Sequence, residues 1–252
     1  MLAIIIIIAR KGMYMQITKN QHYVPRFYMK YFSNIRNAGT KKEKVLISFY
    51  QFKDNILREN IPTTSVCSED YFYGQDGKTE NSLAEMENRW SIAFKNVNDD
   101  AFAEGDIESI REFVIYQISR TKAMLSHNRE MVTNVMEAVS KKQFGNVADG
   151  KTFNELLENK IQNEITPEFG LSIVKETIPV ISDLKMKVIT NETEMKLITS
   201  DVPIIIINPL GIYRAGLNSV GEVIFFPVFP RCSRRKRPES STGWRCPLLA
   251  TP

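Results

Sequence analysis

The chain has 252 residues, of which 43% are apolar and 25% charged, with only 12 Gly and 11 Pro. That composition excludes fibrous, low-complexity and wholly disordered proteins and leaves a soluble globular fold of one large or two small domains. Net charge is +4, but Arg10, Lys11 and the tail residues Arg231, Arg234, Arg235, Lys236, Arg237 and Arg245, set against Glu239, account for it: without them 25 basic residues face 28 acidic ones. The body is mildly acidic, so a nucleic-acid partner is argued only by the tail, and a basic run of that kind is ordinarily a solvated end.

The three cysteines, Cys67, Cys232 and Cys246, form neither a disulfide framework nor a paired metal motif, which fits a reducing compartment. The apolar run Leu2–Ala9 is too short for a membrane span, which needs about 20 residues. Arg10 and Lys11 follow that run, whereas a secretory signal has its charge in front. The expectation is therefore a cytoplasmic protein without a membrane segment. Met13 and Met15 are alternative starts. Three stretches are expected: residues 1–15 as an apolar extension, 16–230 as a single α+β domain, and 231–252 as a basic tail that is disordered or out of frame.

In chain order, Asn20–Phe32 reads as a turn into a short helix with Pro25 near its first position, where the missing N–H costs nothing. Val45–Phe52 and Asp70–Tyr73 read as strands. Helices follow over Glu80 to about Ala103, Ile107 to about Lys142, Phe153 to about Glu164, and Glu168–Asp183, where Pro179 kinks or ends the last. Strands return at Met186–Thr190, Met195–Thr199, Ile204–Asn208 and Glu222–Phe226. The predicted class is α+β, a helical centre flanked by short, mostly antiparallel strands.

The helix opening at Asp106 is the most informative. At about 100° per residue, Gln117 and Thr121 fall in the middle of its apolar stripe and Arg120 at the stripe's edge. A buried polar group left alone costs about 1–3 kcal/mol, so these three need partners. In the preceding helix Glu87 lies inside the stripe of Leu83, Met86, Trp90, Phe94 and Val97, and Glu80 shares its line. Antiparallel packing of the two helices sets Glu87 or Glu80 opposite Arg120. Either this is a buried ion pair that fixes the packing, or the group opens onto a cleft and holds a ligand.

His22 sits between Gln21 and the aromatic-basic run Tyr23, Arg26, Phe27 and Tyr28, a setting that suits a general base or a ligand-binding imidazole as well as a packed histidine. His127 reads as a surface residue. Thr199, Ser200, Asp201 and Pro203 end an apolar strand, where a carboxylate can serve chemistry or simply make a turn.

Two motifs promise more than they carry. Gly145–Thr152 (GNVADGKT) matches the phosphate-loop pattern, but it follows the polar end of a helix rather than a buried strand, and Asp149 sets a carboxylate where phosphate oxygens belong. Asp201 and Glu222 hint at a nuclease core, yet Glu222 is followed by Val223 and Ile224 with no lysine. Nucleophile-elbow and zinc-protease patterns are missing from the sequence.

Taken in order, HYVPRFYMKYF from His22, FYG from Phe72, the Glu80–Trp90 helix, FVIYQISRT from Phe113, LITSDVP from Leu197 and FFPVFP from Phe225 resemble the family catalogued as domain of unknown function 4238. The resemblance spans about residues 16–230 and falls on His22, Pro25, Phe27, Glu87, Gln117, Arg120, Thr121, Ser200, Asp201 and Pro203. It implies no substrate and no mechanism. The departure comes after Pro230, where such proteins resemble one another in continuing with Leu-Ser-Pro-like residues and a further helix, and this chain has RCSRRKRPESSTGWRCPLLATP.

Two functions are expected from these residues. In an enzyme acting by hydrolysis or transfer on an anionic, phosphate-bearing substrate, His22, Glu87, Arg120 and Asp201 converge as the catalytic set: His22 or Glu87 as acid/base and Arg120 as anion clamp. Arg26, Gln117, Thr121 and Ser200 then contact the ligand. In a non-enzymatic binding or interaction module the same side chains form a dry structural network. The sequence names no cofactor and leaves open whether a metal is used.

Overall fold

A computed structural model describes residues 18–144, 150–181, 184–189, 191, 193–211 and 220–230. The apolar run Leu2–Ala9, Met13 and Met15, the tail 231–252, Asp183 and most of the phosphate-loop look-alike (145–149) lie outside the described residues.

The chain opens with β1 (Asn20–His22), which pairs antiparallel with β5 (Ser68–Asp70) in the register Asn20↔Asp70 and His22↔Ser68. Pro25, at φ −59°, leads into α1 (Arg26–Tyr31), whose Tyr28 and Met29 are buried. A three-stranded antiparallel sheet of β2 (Asn34–Arg36), β3 (Lys44–Gln51) and β4 (Ile56–Pro62) lies between β1 and β5 in sequence, with β3 central. The strand expected at Asp70–Tyr73 lies earlier: β5 stops at Asp70, and Tyr71 enters a left-handed turn at φ +55°. Cys67, at φ +53°, flanks β5 on the other side and turns its carbonyl toward the Tyr23 N–H, 2.9 Å away. Left-handed backbone is uncommon for side chains of that size.

The helical centre follows. Helix α2 (Lys78–Asn98) buries Leu83, Trp90, Ala93, Phe94 and Val97, the stripe its 3.6-residue period requires. Helix α3 (Glu104–Ser119) runs back along it: Asn96 bonds Asp106, Trp90 bonds Glu112 and Glu87 bonds Arg120, so numbers fall on one helix as they rise on the other. The Asp106 carboxylate accepts the Ala103 N–H at 2.9 Å and fixes the start of α3. The long helix expected over 107–142 is two helices. Arg120 (φ −94°, ψ 0°) ends α3, and α4 (Lys122–Phe144) restarts after Thr121, whose hydroxyl accepts the Met124 N–H. Helix α5 (Gly150–Glu164) packs on Leu125 and Val132 of α4 through Leu157, Ile161 and, just past its end, Ile165.

The expected helix 168–183 is also interrupted. It forms α6 (Pro167–Ser172), capped by Thr166, then α7 (Val174–Thr177), and tightens into a 3-10 turn over Ile178–Ile181 around Pro179. Of the four strands expected after it, the two hydrophobic runs 186–190 and 195–199 are not strands among their described residues: the Leu197 N–H bonds the Pro230 carbonyl at 2.9 Å, but one such bond does not make a ladder. The others form β6 (Ile205–Ile207) and β7 (Val223–Phe225), an antiparallel pair. The architecture is α+β, and every described strand pairing is antiparallel.

The core is an aromatic cluster gathered from the whole chain. Phe113 contacts Phe27, Tyr28, Trp90, Phe94 and Phe226, with ring centroids 4.9–6.0 Å apart. Such pairs contribute roughly 0.5–1.5 kcal/mol each beyond their buried area. The Tyr28 hydroxyl reaches the Thr199 hydroxyl at 2.7 Å and donates to the Pro227 carbonyl at 2.8 Å, tying the last described stretch to α1.

Candidate functional site

Arg120 is 1% exposed and holds three elements together. Its Nε donates to the Tyr73 hydroxyl at 2.9 Å, Nη1 to Glu87 Oε1 at 2.8 Å, and Nη2 to the backbone carbonyl of His22 at 2.6 Å. Helix α2, the turn after β5 and strand β1 are thereby fixed to the end of α3. Burial disfavours the guanidinium charge, but the Tyr73 phenol and the Glu87 carboxylate outweigh it, and the pKa stays above its ordinary value. Burial pushes the Tyr73 phenol up to about 12 against the opposing pull of Arg120, so this hydroxyl keeps its proton.

Gln21, fully buried on the neighbouring residue of β1, makes a second clasp. Its amide donates to the carbonyls of Thr18 and Gly74 and its oxygen accepts the Tyr73 N–H at 2.6 Å. Gly74, at φ +85°, supplies the turn that brings its carbonyl there.

In front of the clasp lies a polar cleft of about 230 Å³, lined by His22, Arg26, Glu80 and Glu87 together with Thr18, Asn20 and Thr64. Strand β1, the start of α1, the 3-10 turn Thr63–Ser65 and the first three turns of α2 bring these side chains together. His22 Nε2 lies 3.1 Å from the Thr63 carbonyl, which can only accept, so Nε2 carries the proton and the neutral ring keeps its lone pair on Nδ1. Burial lowers the His22 pKa, the Thr63 carbonyl opposes that, and Arg26 and Arg120 lower it further. The imidazole is therefore neutral at neutral pH. Glu80 shifts the other way: burial raises its pKa, the Glu87 charge adds to that, and Arg120 opposes. Arg26 is exposed and has no hydrogen bond or ion pair among the described residues.

Of the eight side chains singled out in the sequence, His22, Arg26 and Glu87 line this cleft and Arg120 lies directly behind Glu87. The other four lie elsewhere. Asp201 is exposed on the far side of Tyr23, where its charge helps raise the Tyr23 and Cys67 pKa values. The Ser200 hydroxyl accepts the Val202 N–H and donates to the Val202 carbonyl, making a turn. Thr121 caps α4, and Gln117 donates to the Tyr23 carbonyl at 3.0 Å. His127 is exposed. The Cys67 thiol, raised to about 12 first by burial, is not a poised nucleophile.

Sequence reasoning passed over Tyr73, Gln21, Asn20 and Thr64, and it treated Glu80 only as an alternative partner for Arg120. Gln21 lies between the polar Asn20 and His22 on a three-residue strand and Tyr73 lies in a turn, so no periodicity orients either side chain. Among the described residues no group of three or more His, Cys, Asp or Glu side chains is arranged to hold a metal ion, and no helix is long and apolar enough to cross a membrane.

An α+β chain with an arginine clasp behind a histidine-carboxylate cleft is thus the class that fold and site define. The chain belongs to the family described as protein of unknown function (DUF4238), whose model matches residues 20–233. No curated protein and no solved structure matches it.

Proposed function

We propose that the polar cleft is a catalytic site for hydrolysis of, or group transfer from, a small phosphate-bearing substrate. The observation that carries this reading is a neutral imidazole sharing one open cleft with an unpaired arginine and a carboxyl of raised pKa. Arg26 contacts the anion, since its fork of donors is unengaged. His22 Nδ1 takes a proton from water, or from an acceptor hydroxyl, as that oxygen bonds to phosphorus. Glu80, whose raised pKa lets it keep its proton to higher pH than an ordinary carboxyl, delivers that proton to the leaving oxygen as its bond to phosphorus breaks. Arg120 and Glu87 hold the His22 backbone and the cleft wall in place, which makes them positioning residues. A small anionic ligand and a cytoplasmic setting complete the proposal, the latter argued from the unpaired Cys67.

The closed state of Arg120 favours a second reading, a ligand-binding module without turnover, because the strongest cation near the cleft is already satisfied. The two separate in one experiment. Purified protein and His22→Ala, matched for thermal stability, are incubated with phosphomonoesters, phosphodiesters and nucleotides. Turnover by the wild type that falls at least about 100-fold in His22→Ala supports the enzyme. Equal turnover in both removes the histidine's role, and ligand retention by both proteins without product supports the binding module.

A further inference from the structure

The charges around the polar cleft limit what anion it can hold. Among the described residues, Arg26 is the lining cation with no partner: it is exposed, and no hydrogen bond or ion pair engages it. Arg120, behind the wall, is buried and spent, with Nη1 2.8 Å from Glu87 Oε1. Lys19, the basic residue nearest β1, is turned to Asp70 at 2.9 Å. Against these stand two carboxyls on α2. Glu87 lines the cleft with 25% of its side chain exposed, and Glu80, two turns earlier, lines it too. The neutral His22 ring adds no charge, and Thr18, Asn20 and Thr64 complete the lining without any.

With Glu80 protonated, Arg26 and Arg120 against Glu87 leave a single positive charge; with Glu80 ionised they leave none. A phosphomonoester loses its second proton at a pH of about 6 and carries about −1.5 to −2 at neutrality. A phosphodiester has no second proton to lose and stays a monoanion. The extra charge of a monoester would meet Glu80 and Glu87 with no cation to answer it. Resting on the catalytic reading of this cleft, we infer that it takes a phosphodiester monoanion in preference to a phosphomonoester dianion. In the step itself, the water oxygen bonds to phosphorus as one water proton passes to His22 Nδ1. The P–O bond to one alcohol breaks, and the Glu80 proton goes to that alcohol. The other water proton stays on the phosphomonoester product until it ionises, and the charge then gained favours release. His22 and Glu80 return to their starting states by exchanging protons with solvent.

Dimethyl phosphate and methyl phosphate differ by one methyl group and, in base, by one charge. Each is titrated into isotope-labelled protein and read at the His22 ring, with the exposed His127 as internal control. Dimethyl phosphate is expected to bind at least about tenfold more tightly at about pH 8, the ratio that unscreened like charges a few ångströms apart impose. At about pH 5, where methyl phosphate is also a monoanion, the ratio should fall to within about twofold. Glu80→Gln, which removes a carboxylate from the lining, is expected to narrow the ratio in base. A ratio near one in base, a ratio that pH does not change, or no binding of either probe would each overturn the selection. Turnover is scored separately with methyl p-nitrophenyl phosphate. Selection without His22-dependent release of nitrophenolate removes the catalysis alone, whereas His22-dependent release with a ratio near one removes the selection alone.

Discussion

Arg120 and Arg26 both lie close to His22 and have opposite fates. Arg120 is 1% exposed with every nitrogen engaged, whereas Arg26 is exposed at the mouth of the cleft with no partner among the described residues. The first is structural because a buried charge is tolerable only when fully paired. The second is free to meet a ligand because solvent already satisfies it. Residue type therefore decides little here. What separates scaffold from site is whether the surrounding helices have closed over the head group.

That contrast can be broken most sharply at Arg120. Arg120→Met leaves Glu87 and the Tyr73 hydroxyl without the guanidinium that donates to them and leaves the His22 carbonyl only the long 3.4 Å bond from Tyr73, and urea unfolding is expected to show a loss of about 3–5 kcal/mol; pairing it with Glu87→Met restores part of the loss. An unchanged midpoint would remove the clasp. Tyr73→Phe deletes one acceptor from the same cluster and is expected to destabilise by about 1–3 kcal/mol in the same assay.

Glu80→Gln tests the open side. The folded pKa of Glu80 lies above its ordinary 4.5, so its favourable contribution is complete below that value and lost as pH rises through the folded one. At pH 7 the amide is expected to stabilise the fold, by no more than about 1 kcal/mol given its partial exposure, and the gain should vanish in acid. His22 has the opposite sense: its folded pKa lies below 6.5, so its contribution is present above 6.5 and lost as pH falls through the folded value. Thermal melts across pH would expose both. Arg26→Ala comes last, with a stability change within about 0.5 kcal/mol but weaker retention of phosphate-bearing ligands. A large stability loss there would mean that Arg26 is scaffold after all.

The two central helices were legible because their stripes are long, and Trp90, Phe94, Ile110 and Phe113 are buried where the period puts them. The inward setting of Gln117, Arg120 and Thr121 was legible for the same reason, although the helix breaks between Arg120 and Thr121. Neither Gly nor Pro announces that break. A tertiary event, the guanidinium anchoring to β1 and Tyr73, coincides with it. The β1–β5 pair was not legible, since each strand has three residues and its partner lies nearly fifty positions away. Conversely, the apolar runs 186–190 and 195–199 look like strands, but among their described residues no ladder forms, and Leu197 makes a single backbone bond to the Pro230 carbonyl. The placement of Asp201 away from His22 depends on how that extended segment crosses the helices, which local pattern does not encode.

Tyr28 has a temporal consequence. Its hydroxyl bonds partners 171 and 199 positions downstream. At the roughly 5–20 residues per second of synthesis, α1 emerges about ten to forty seconds before the ribosome delivers its final contacts. During that interval Tyr28 and the rings around it lack their cover from Phe226, and a nascent chain stalled between them would present an aromatic face to chaperones.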